Sequence, residues 1–546
     1  MAVTKKDANS DRPHIIRPFG NLECYEFHML QLRFLGSTIV NCRYSIPPSL
    51  AAPEHRNLVV ARVEEAIARV VLEHAALRVD VVRADTRRPA WVAVDRIDLA
   101  HHLLWEDVDA ADAEYEEILR DRIERRLDEP YGASLAGRPW WRVLVLFRAA
   151  GRRRRRPPSL DVIFDYSHGL GDGTSGKIFH ETLLRALNLG AAPGTGRTET
   201  EADPVLVGRV LRVPAAASPL PPPAEKAARF PVSAGFALRT AWRELRPPGL
   251  FPTTTAAQAR WAPIRAAPAP YRTRFRAFDV GPAALRALVA ACRARRTTVT
   301  GLLHALLLAS AAARVPARDA AAFAGSTALD LRRHLPGGRR GAMANYVSLT
   351  THEFGPDVVR RVRDAAASAS ASATERGGEP PPLSPSLSPP PPPPLVDVVW
   401  ECAARVRAEI QARLDRGLRN DLVGLMKFVP DWRAQLRDEA AKPRPHSFVV
   451  TNLGVVDGGP RAEVEVEVEV EADGETGEGG EGWGIEHSVF AVSAEVCGAA
   501  FQAAPISVRG GALCVSCSWQ DGVVDVRLAE AIVADLERWL RFLGTS

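Results

Sequence analysis

Between Leu160 and Leu187 the hydrophobic period switches from that of a strand to that of a helix. Leu160, Val162, Phe164 and Tyr166 fall on one face of a strand over Leu160–Ser167. Ile178, Phe179, Leu183, Leu184 and Leu187 then recur at helical spacing. The junction, Asp165-Tyr166-Ser167-His168-Gly169-Leu170-Gly171-Asp172-Gly173-Thr174-Ser175-Gly176-Lys177, is rich in glycines that permit a tight turn and close approach by another group. Thr174 or Ser175 is expected to cap the helix, and Asp172 lies near its start, where negative charge is favoured. His168 falls at the strand's end, rigidly placed yet able to face a cleft. A strand handed to a helix in this way belongs to mixed α/β architecture.

The same mixture recurs on both sides. Val60, Val63, Ile67, Val70 and Val71 predict a helix over Leu58–Glu73, and Pro139–Phe147 reads as a strand. Further on, Pro282–Ala294 and Thr300–Ala313 read as helices, and Phe448–Thr451 and Ala512–Trp519 as strands. Asp521-Gly522 after the last strand is a favoured hairpin pair, and Leu528–Leu543 is an amphipathic helix. Gly151–Pro158 (an arginine run), Glu379–Pro394 (proline, serine and leucine) and Glu463–Glu481 (glutamate with valine, then glycine) read as surface insertions. The proline-rich stretch 198–270 divides the chain into halves of comparable size. The expected organisation is therefore an N-terminal lobe over 1–197, a crossover linker over 198–270, and a C-terminal lobe over 271–546. Low-complexity insertions in the C-terminal lobe lie near 375–395 and 461–482.

A chain of 546 residues has room for about three or four domains, or for two large ones with insertions. Its net charge of +5 vanishes without the run Arg152 to Arg156, so nucleic acid is not an expected partner. Seven scattered cysteines make a poor disulfide framework and fit a reducing compartment. Met1–Arg12 lacks the apolar core of a secretion signal, and Val299–Val315 carries His304, so it is expected to be a buried helix rather than a membrane span. These features predict a cytoplasmic protein. The amphipathic segments His28–Phe34 and Leu528–Leu543 are expected to pack on a core rather than on a membrane surface.

Three chemistries compete for the junction. Gly171, Gly176 and Lys177 match the spacing of a phosphate loop, but Ile178 stands where a hydroxyl would hold magnesium, and Asp172 would bring negative charge into the cradle. A serine nucleophile fails because Ser175 is followed directly by Gly176, so G-x-S-x-G is absent. There remains H-x-x-x-D-G, with His168 as a general base that takes a proton from a hydroxyl or amine near neutral pH, and Asp172 as a structural carboxylate. A turn histidine satisfied by backbone groups stays open as the alternative. Cys514-Val515-Ser516-Cys517 has C-x-x-C spacing, but an alternating strand sends the two sulfurs to opposite faces, so no metal site is expected.

At His168 and Asp172 the sequence resembles the H-x-x-x-D acyltransferases, the superfamily of chloramphenicol acetyltransferase, plant acyltransferases and peptide-synthetase condensation domains. His74-Ala75-Ala76-Leu77-Arg78, Arg138-Pro139-Trp140-Trp141-Arg142-Val143 and Asp330-Leu331-Arg332 agree in order along the chain. More particularly, Arg17-Pro18-Phe19-Gly20-Asn21-Leu22-Glu23, Tyr44-Ser45, Pro47, Thr451-Asn452-Leu453-Gly454 and Ser518-Trp519 are similar to fungal alcohol acetyltransferase-like proteins. Condensation domains carry two adjacent histidines, whereas Ser167 stands in the first place here, which argues against peptide-bond synthesis.

The resemblance implies two chloramphenicol-acetyltransferase-like lobes with an active-site tunnel between them. It also implies acetyl-CoA as acyl donor, a small-molecule alcohol as acceptor, no metal, and a monomer. His168 would be the general base, with no covalent acyl-enzyme. Thr451 and Asn452 are the candidates for an oxyanion donor, and Gly173 joins them as a substrate-binding position. Asp172 would turn away from substrate and pair with Arg332 of the second lobe, or else with Arg78. An amine acceptor, and a non-catalytic or carrier-protein-docking condensation-like module, are the competing functions.

Overall fold

The computed structural model describes residues 14–131, 137–149, 157–189, 206–214, 218–245, 271–374, 393–459 and 482–545. Most of the three low-complexity segments and much of the 198–270 stretch lie outside these. Pro393 and Pro394, at the end of the Pro/Ser/Leu segment, instead open a helix over Pro393–Asp415. Proline suits a first helical turn because its missing N–H would have no intrahelical acceptor there.

A five-stranded sheet lies in the order Gly484–Val492, Thr38–Ser45, Ser159–Tyr166, Trp141–Arg148, Leu103–Asp107. The expected alternation in the Ser159–Tyr166 strand is real, but the strand is buried on both faces. Phe164 stacks on Phe179 of the Gly173–Asn188 helix with ring centroids 3.9 Å apart. On the other face Asp161 accepts from Tyr115 Oη at 2.7 Å, Arg43 Nε at 2.8 Å and Asn41 Nδ2 at 2.8 Å. Burial pushes the Asp161 carboxyl up, yet Arg43, Asn41 and Tyr115 together hold it below the usual carboxylate value. Trp141–Arg148 begins two residues later than its pattern suggested, since Pro139 has no N–H to give a ladder.

Helix Gly173–Asn188 sits so close to the sheet that a Cβ on Gly176 would lie 2.5 Å from Val40 Cγ2 and 2.8 Å from Tyr166 Oη. Gly176→Ala is therefore expected to cost about 1–3 kcal/mol through overpacking, read from urea unfolding. An unchanged midpoint would mean that the helix can lift off the sheet freely.

A seven-stranded mixed sheet forms the second lobe. Its main path runs Thr273–Val280, Leu513–Gln520, Ala499–Val508, His446–Val450, Phe323–Asp330, Val347–Phe354, with Gly454–Val456 paired to Ala499–Val508. One face lies on helices Val299–Arg314, Pro393–Asp415 and Val526–Leu543 in a second core. The expected buried helix is there: Gly301 through Ala312 are all buried, and His304 Nε2 meets Thr327 Oγ1 at 2.8 Å. Among the described residues no helix is long and apolar enough to cross a membrane. The apolar sides of both amphipathic segments enter cores, through Met29 and Phe34 in the first and Ile532, Leu536 and Leu540 in the second.

Three features differ from the sequence reading. The Gly484–Val492 strand belongs to the C-terminal half by position but pairs with Thr38–Ser45 of the first sheet, placing Phe490 opposite Val40. It also packs on the second sheet, where Ser518 Oγ donates to Val492 O at 2.7 Å. Next, Asp521-Gly522 does turn, with Gly522 at φ +71, but leads into the Val526–Leu543 helix capped by Asp525 rather than into a hairpin. Finally, the described parts of the 198–270 stretch carry structure of their own. Leu206–Val207 and Val210–Arg212 form a small sheet with Arg96–Asp98, and Ala224 and Ala227 share a third small core with Leu331 and Tyr346.

Candidate active site

The chain leaves the Ser159–Tyr166 strand through a short turn in which Leu170 N donates to Ser167 O at 2.9 Å. Ser167 is buried, and its hydroxyl accepts from Gly169 N at 3.3 Å, so it serves the turn. His168, at the apex, keeps a side chain 17% exposed. Its Nδ1 lies 3.6 Å from Glu26 Oε1 of the Asn21–Gln31 helix. From the second lobe, Asn345 Nδ2 lies 3.1 Å from the same nitrogen and donates to His168 O at 3.0 Å. The imidazole is thus held by groups from both lobes at their seam.

The next turn is fixed by Asp172. It, rather than Thr174 or Ser175, is the N-cap of the Gly173–Asn188 helix, accepting from Ser175 N at 3.1 Å. The anion favoured at a helix N-terminus is therefore supplied by the chain itself, and Lys177 pairs with Glu181 at 3.6 Å, which removes the phosphate-loop reading.

Arg332 grips the same carboxylate in a two-pronged ion pair, Nη1 to Oδ2 at 2.7 Å and Nη2 to Oδ1 at 2.9 Å, while Tyr346 N donates to Oδ2 at 2.9 Å. Both side chains are buried, 2% and 5% exposed. Burial alone would raise the Asp172 pKa, but the Arg332 guanidinium and the Tyr346 N–H hold it below 3.8. Arg332 also donates to Ala342 O at 3.1 Å and Ala344 O at 2.7 Å. Arg78, the alternative partner, bonds Ser218 instead. Both oxygens of the Asp172 carboxylate are thus taken up by partners from its own turn and from the second lobe. The pair also ties the His168 loop to the second lobe.

Gly173 and the Thr451–Gly454 turn come together. A Cβ on Gly173 would lie 3.1 Å from Leu453 Cδ1 and 2.8 Å from Phe490 Cζ, so the start of the helix rests directly on that turn. Thr451 N donates to Ala503 O at 3.0 Å, continuing the strand His446–Val450. Asn452 is exposed; its Oδ1 accepts from Gly454 N at 2.8 Å and its Nδ2 donates to Thr300 Oγ1 at 2.9 Å. That amide shapes the turn and ties it to the Val299–Arg314 helix.

Sequence reasoning missed Glu26, Asn345 and Glu495. Burial raises the pKa of Glu26, opposed by His168 and Asn345. Glu495 is pushed up to about 7, first by burial and then by the Glu26 carboxylate. It lies against Gly498, where a Cβ would fall 1.4 Å from Oε2. No spacing links these positions to H-x-x-x-D; the one available signal is a glutamate amid Tyr25, Phe27 and Met29, since a carboxylate there must be buried and paired.

Among the described residues one group has metal-ligand geometry: Asp279, His487 and Cys514, with ligand atoms within 4.8 Å of one another. His487 pairs with Arg43, at the opposite end of the Thr38–Ser45 strand from Thr38, which pairs with Tyr166 near His168. His487 Nε2 and Asp279 Oδ1 are already 3.0 Å apart, and burial keeps the Cys514 thiol protonated. Cys514 and Cys517 enter the first and second cores respectively, on opposite faces of their strand.

No family model matches the chain. A probable alcohol acetyltransferase, FCK4 of Fusarium pseudograminearum, is 26% identical over 537 residues, 97% of this chain and 96% of that protein. The solved structure of TRI3 trichothecene 15-O-acetyltransferase from Fusarium sporotrichioides superposes with a TM-score of 0.64 at 14% identity, over 96% of this chain and 94% of that one. The condensation domain of the Monacolin K polyketide synthase MokA superposes with a TM-score of 0.53 at 12% identity, covering 97% of each chain. The two-lobed, mixed-sheet fold is that of condensation-domain and chloramphenicol-acetyltransferase-like acyltransferases, as the resemblance implied.

Proposed function

We propose that this chain, an acyltransferase by its fold and its relatives, moves the acetyl group of acetyl-CoA to the hydroxyl of a small-molecule alcohol, with His168 as general base. The observation that carries this reading is an imidazole at the seam of the lobes, partly exposed, whose loop is fastened by the buried Asp172–Arg332 pair.

His168 takes the acceptor's hydroxyl proton at Nε2 as that oxygen attacks the thioester carbon. The carbonyl electron pair moves onto oxygen, and the Thr451 hydroxyl donates to the oxyanion so formed. As the carbonyl re-forms, the carbon–sulfur bond breaks, and His168 returns its proton to the departing thiolate. One ester and one free thiol result, with no acyl group on the protein.

Thr451→Val keeps the side chain's shape and removes its donor. It is expected to lower kcat about 10²–10³-fold, with KM for acetyl-CoA little changed. An undiminished kcat would place the oxyanion donor elsewhere. The function itself is tested by incubating the protein with acetyl-CoA and a panel of alcohols and amines and identifying products by mass. Acetate esters support the reading; amides alone would contradict it.

A further inference from the structure

We propose that Asp279, His487 and Cys514 form a zinc site that clips the two sheets together, at the end of the Thr38–Ser45 strand remote from His168. The site lies outside the transfer chemistry, and the proposal does not depend on which acceptor the protein acetylates.

The three residues come from three strands. Asp279 of Thr273–Val280 and Cys514 of Leu513–Gln520 stand directly opposite each other in the second sheet, so their side chains leave the same face. His487 comes from Gly484–Val492, which pairs with the first sheet. The C-x-x-C spacing concealed this arrangement. Cys517 enters the other core, and the partners of Cys514 are supplied by neighbouring strands instead.

One carboxylate oxygen, one imidazole nitrogen and one sulfur lie within 4.8 Å of one another, with His487 Nε2 3.0 Å from Asp279 Oδ1. Tetrahedral zinc, bonded at about 2.0–2.3 Å, sets such atoms about 3.3–3.5 Å apart, so no pair has to close by more than about 1.5 Å. Nitrogen and sulfur beside a single oxygen suit zinc rather than magnesium or calcium, which take oxygen ligands. The charge of neighbouring Arg43 is already matched, by Asp161 at 2.8 Å and Glu116 at 2.8 Å. Burial keeps the Cys514 thiol protonated while no metal is bound. Zinc binding releases that proton to solvent and takes the thiolate, the Asp279 carboxylate and the lone pair of Nε2, with the ring's N–H on Nδ1. Asp279 is half-exposed, so the fourth position opens to water.

Cobalt(II) reads such a site directly, since a bound thiolate gives near-ultraviolet charge-transfer absorption and a tetrahedral site gives strong visible bands. Full-length protein, kept reduced and stripped with a chelator, is titrated with Co2+ and then with Zn2+. One equivalent of Co2+ is expected to produce both signals, Zn2+ to bleach them, and excess Zn2+ to raise the melting temperature. All seven cysteines are free and buried, so mutation must locate the sulfur. Cys514→Ala should abolish the charge-transfer band and Cys517→Ala should keep it. Even an outer partner of a metal site is worth about 10–100-fold in affinity, so Asp279→Asn should weaken Co2+ binding at least about tenfold. No charge-transfer band at excess Co2+, or a band that survives in Cys514→Ala, would overturn the proposal. Should Cys514→Ala fail to fold, Asp279→Asn and His487→Gln decide: weakened binding in both upholds the site, and native affinity in either one overturns it.

Discussion

Arg332→Ala is expected to destabilise the protein by about 3–5 kcal/mol, because it leaves the Asp172 carboxylate buried without its cation. The native carboxylate is 5% exposed, and Arg332 spans both of its oxygens at 2.7 and 2.9 Å. Removing the guanidinium also takes donors from Ala342 O and Ala344 O, so a backbone turn loses partners together with the ion pair. Arg332→Lys should recover only part of the loss, since a point charge cannot match the two-pronged geometry.

Acid should narrow the difference between native and variant. Burial raises the Asp172 pKa, and Arg332 more than offsets this, so the folded-state value lies below 3.8. A carboxylate depressed by folding contributes stability above its unfolded pKa and loses it as pH falls through the folded one. In Arg332→Ala burial is opposed by the Tyr346 N–H but no longer by a guanidinium, so Asp172 takes up a proton at higher pH. Urea unfolding at neutral pH and again near pH 4 should therefore show the gap shrinking. A neutral-pH difference within ~1 kcal/mol, the range of exposed ion pairs, would contradict the stapling role.

His168→Ala is the complementary case, with a large effect on rate and a small one on stability. Loss of a positioned general base is expected to cost about 10²–10⁴-fold in kcat. The ring is partly exposed and its polar neighbours are Glu26 and Asn345, so its removal empties little of either core. Its melting temperature should stay close to the native one while turnover collapses, and KM for acetyl-CoA should change little. A variant that loses both together would have failed by loss of stability, as Arg332→Ala is expected to, and His168→Gln then isolates the chemistry by keeping more of the side chain in place.

The site was legible where local pattern and chain order carry it. The change of hydrophobic period across residues 160–187 located the His168 loop, and the resemblance of Asp330-Leu331-Arg332 to an element of the family's second lobe pointed to Arg332, which lies 2.7 Å from Asp172, ahead of Arg78. The helix over Pro282–Ala294 has the bounds its pattern predicts, and the apolar run around His304 is a buried helix. What stayed hidden was partnership. Alternation says which residues share a face, not which sheet they join, so the placement of Gly484–Val492 beside Thr38–Ser45 could not be read from it. Asp521-Gly522 marks a turn, but the hairpin pair does not reveal that a helix capped by Asp525 comes next. Glu26 and Asn345 reach His168 from two distant segments, and only the folded arrangement shows that they meet.

The central claim is that one imidazole at the seam of two lobes removes the acceptor's proton as the thioester is attacked. Its most direct measurement is a single-turnover reaction with radiolabelled acetyl-CoA and an alcohol that the native protein acetylates, comparing native protein with folded His168→Ala. The native protein should release one thiol for each acetate ester formed and carry no label after acid quenching, and the variant should form ester at least about a hundredfold more slowly. Ester formation by His168→Ala at the native rate, or label retained on the native protein as a covalent intermediate, would contradict the account.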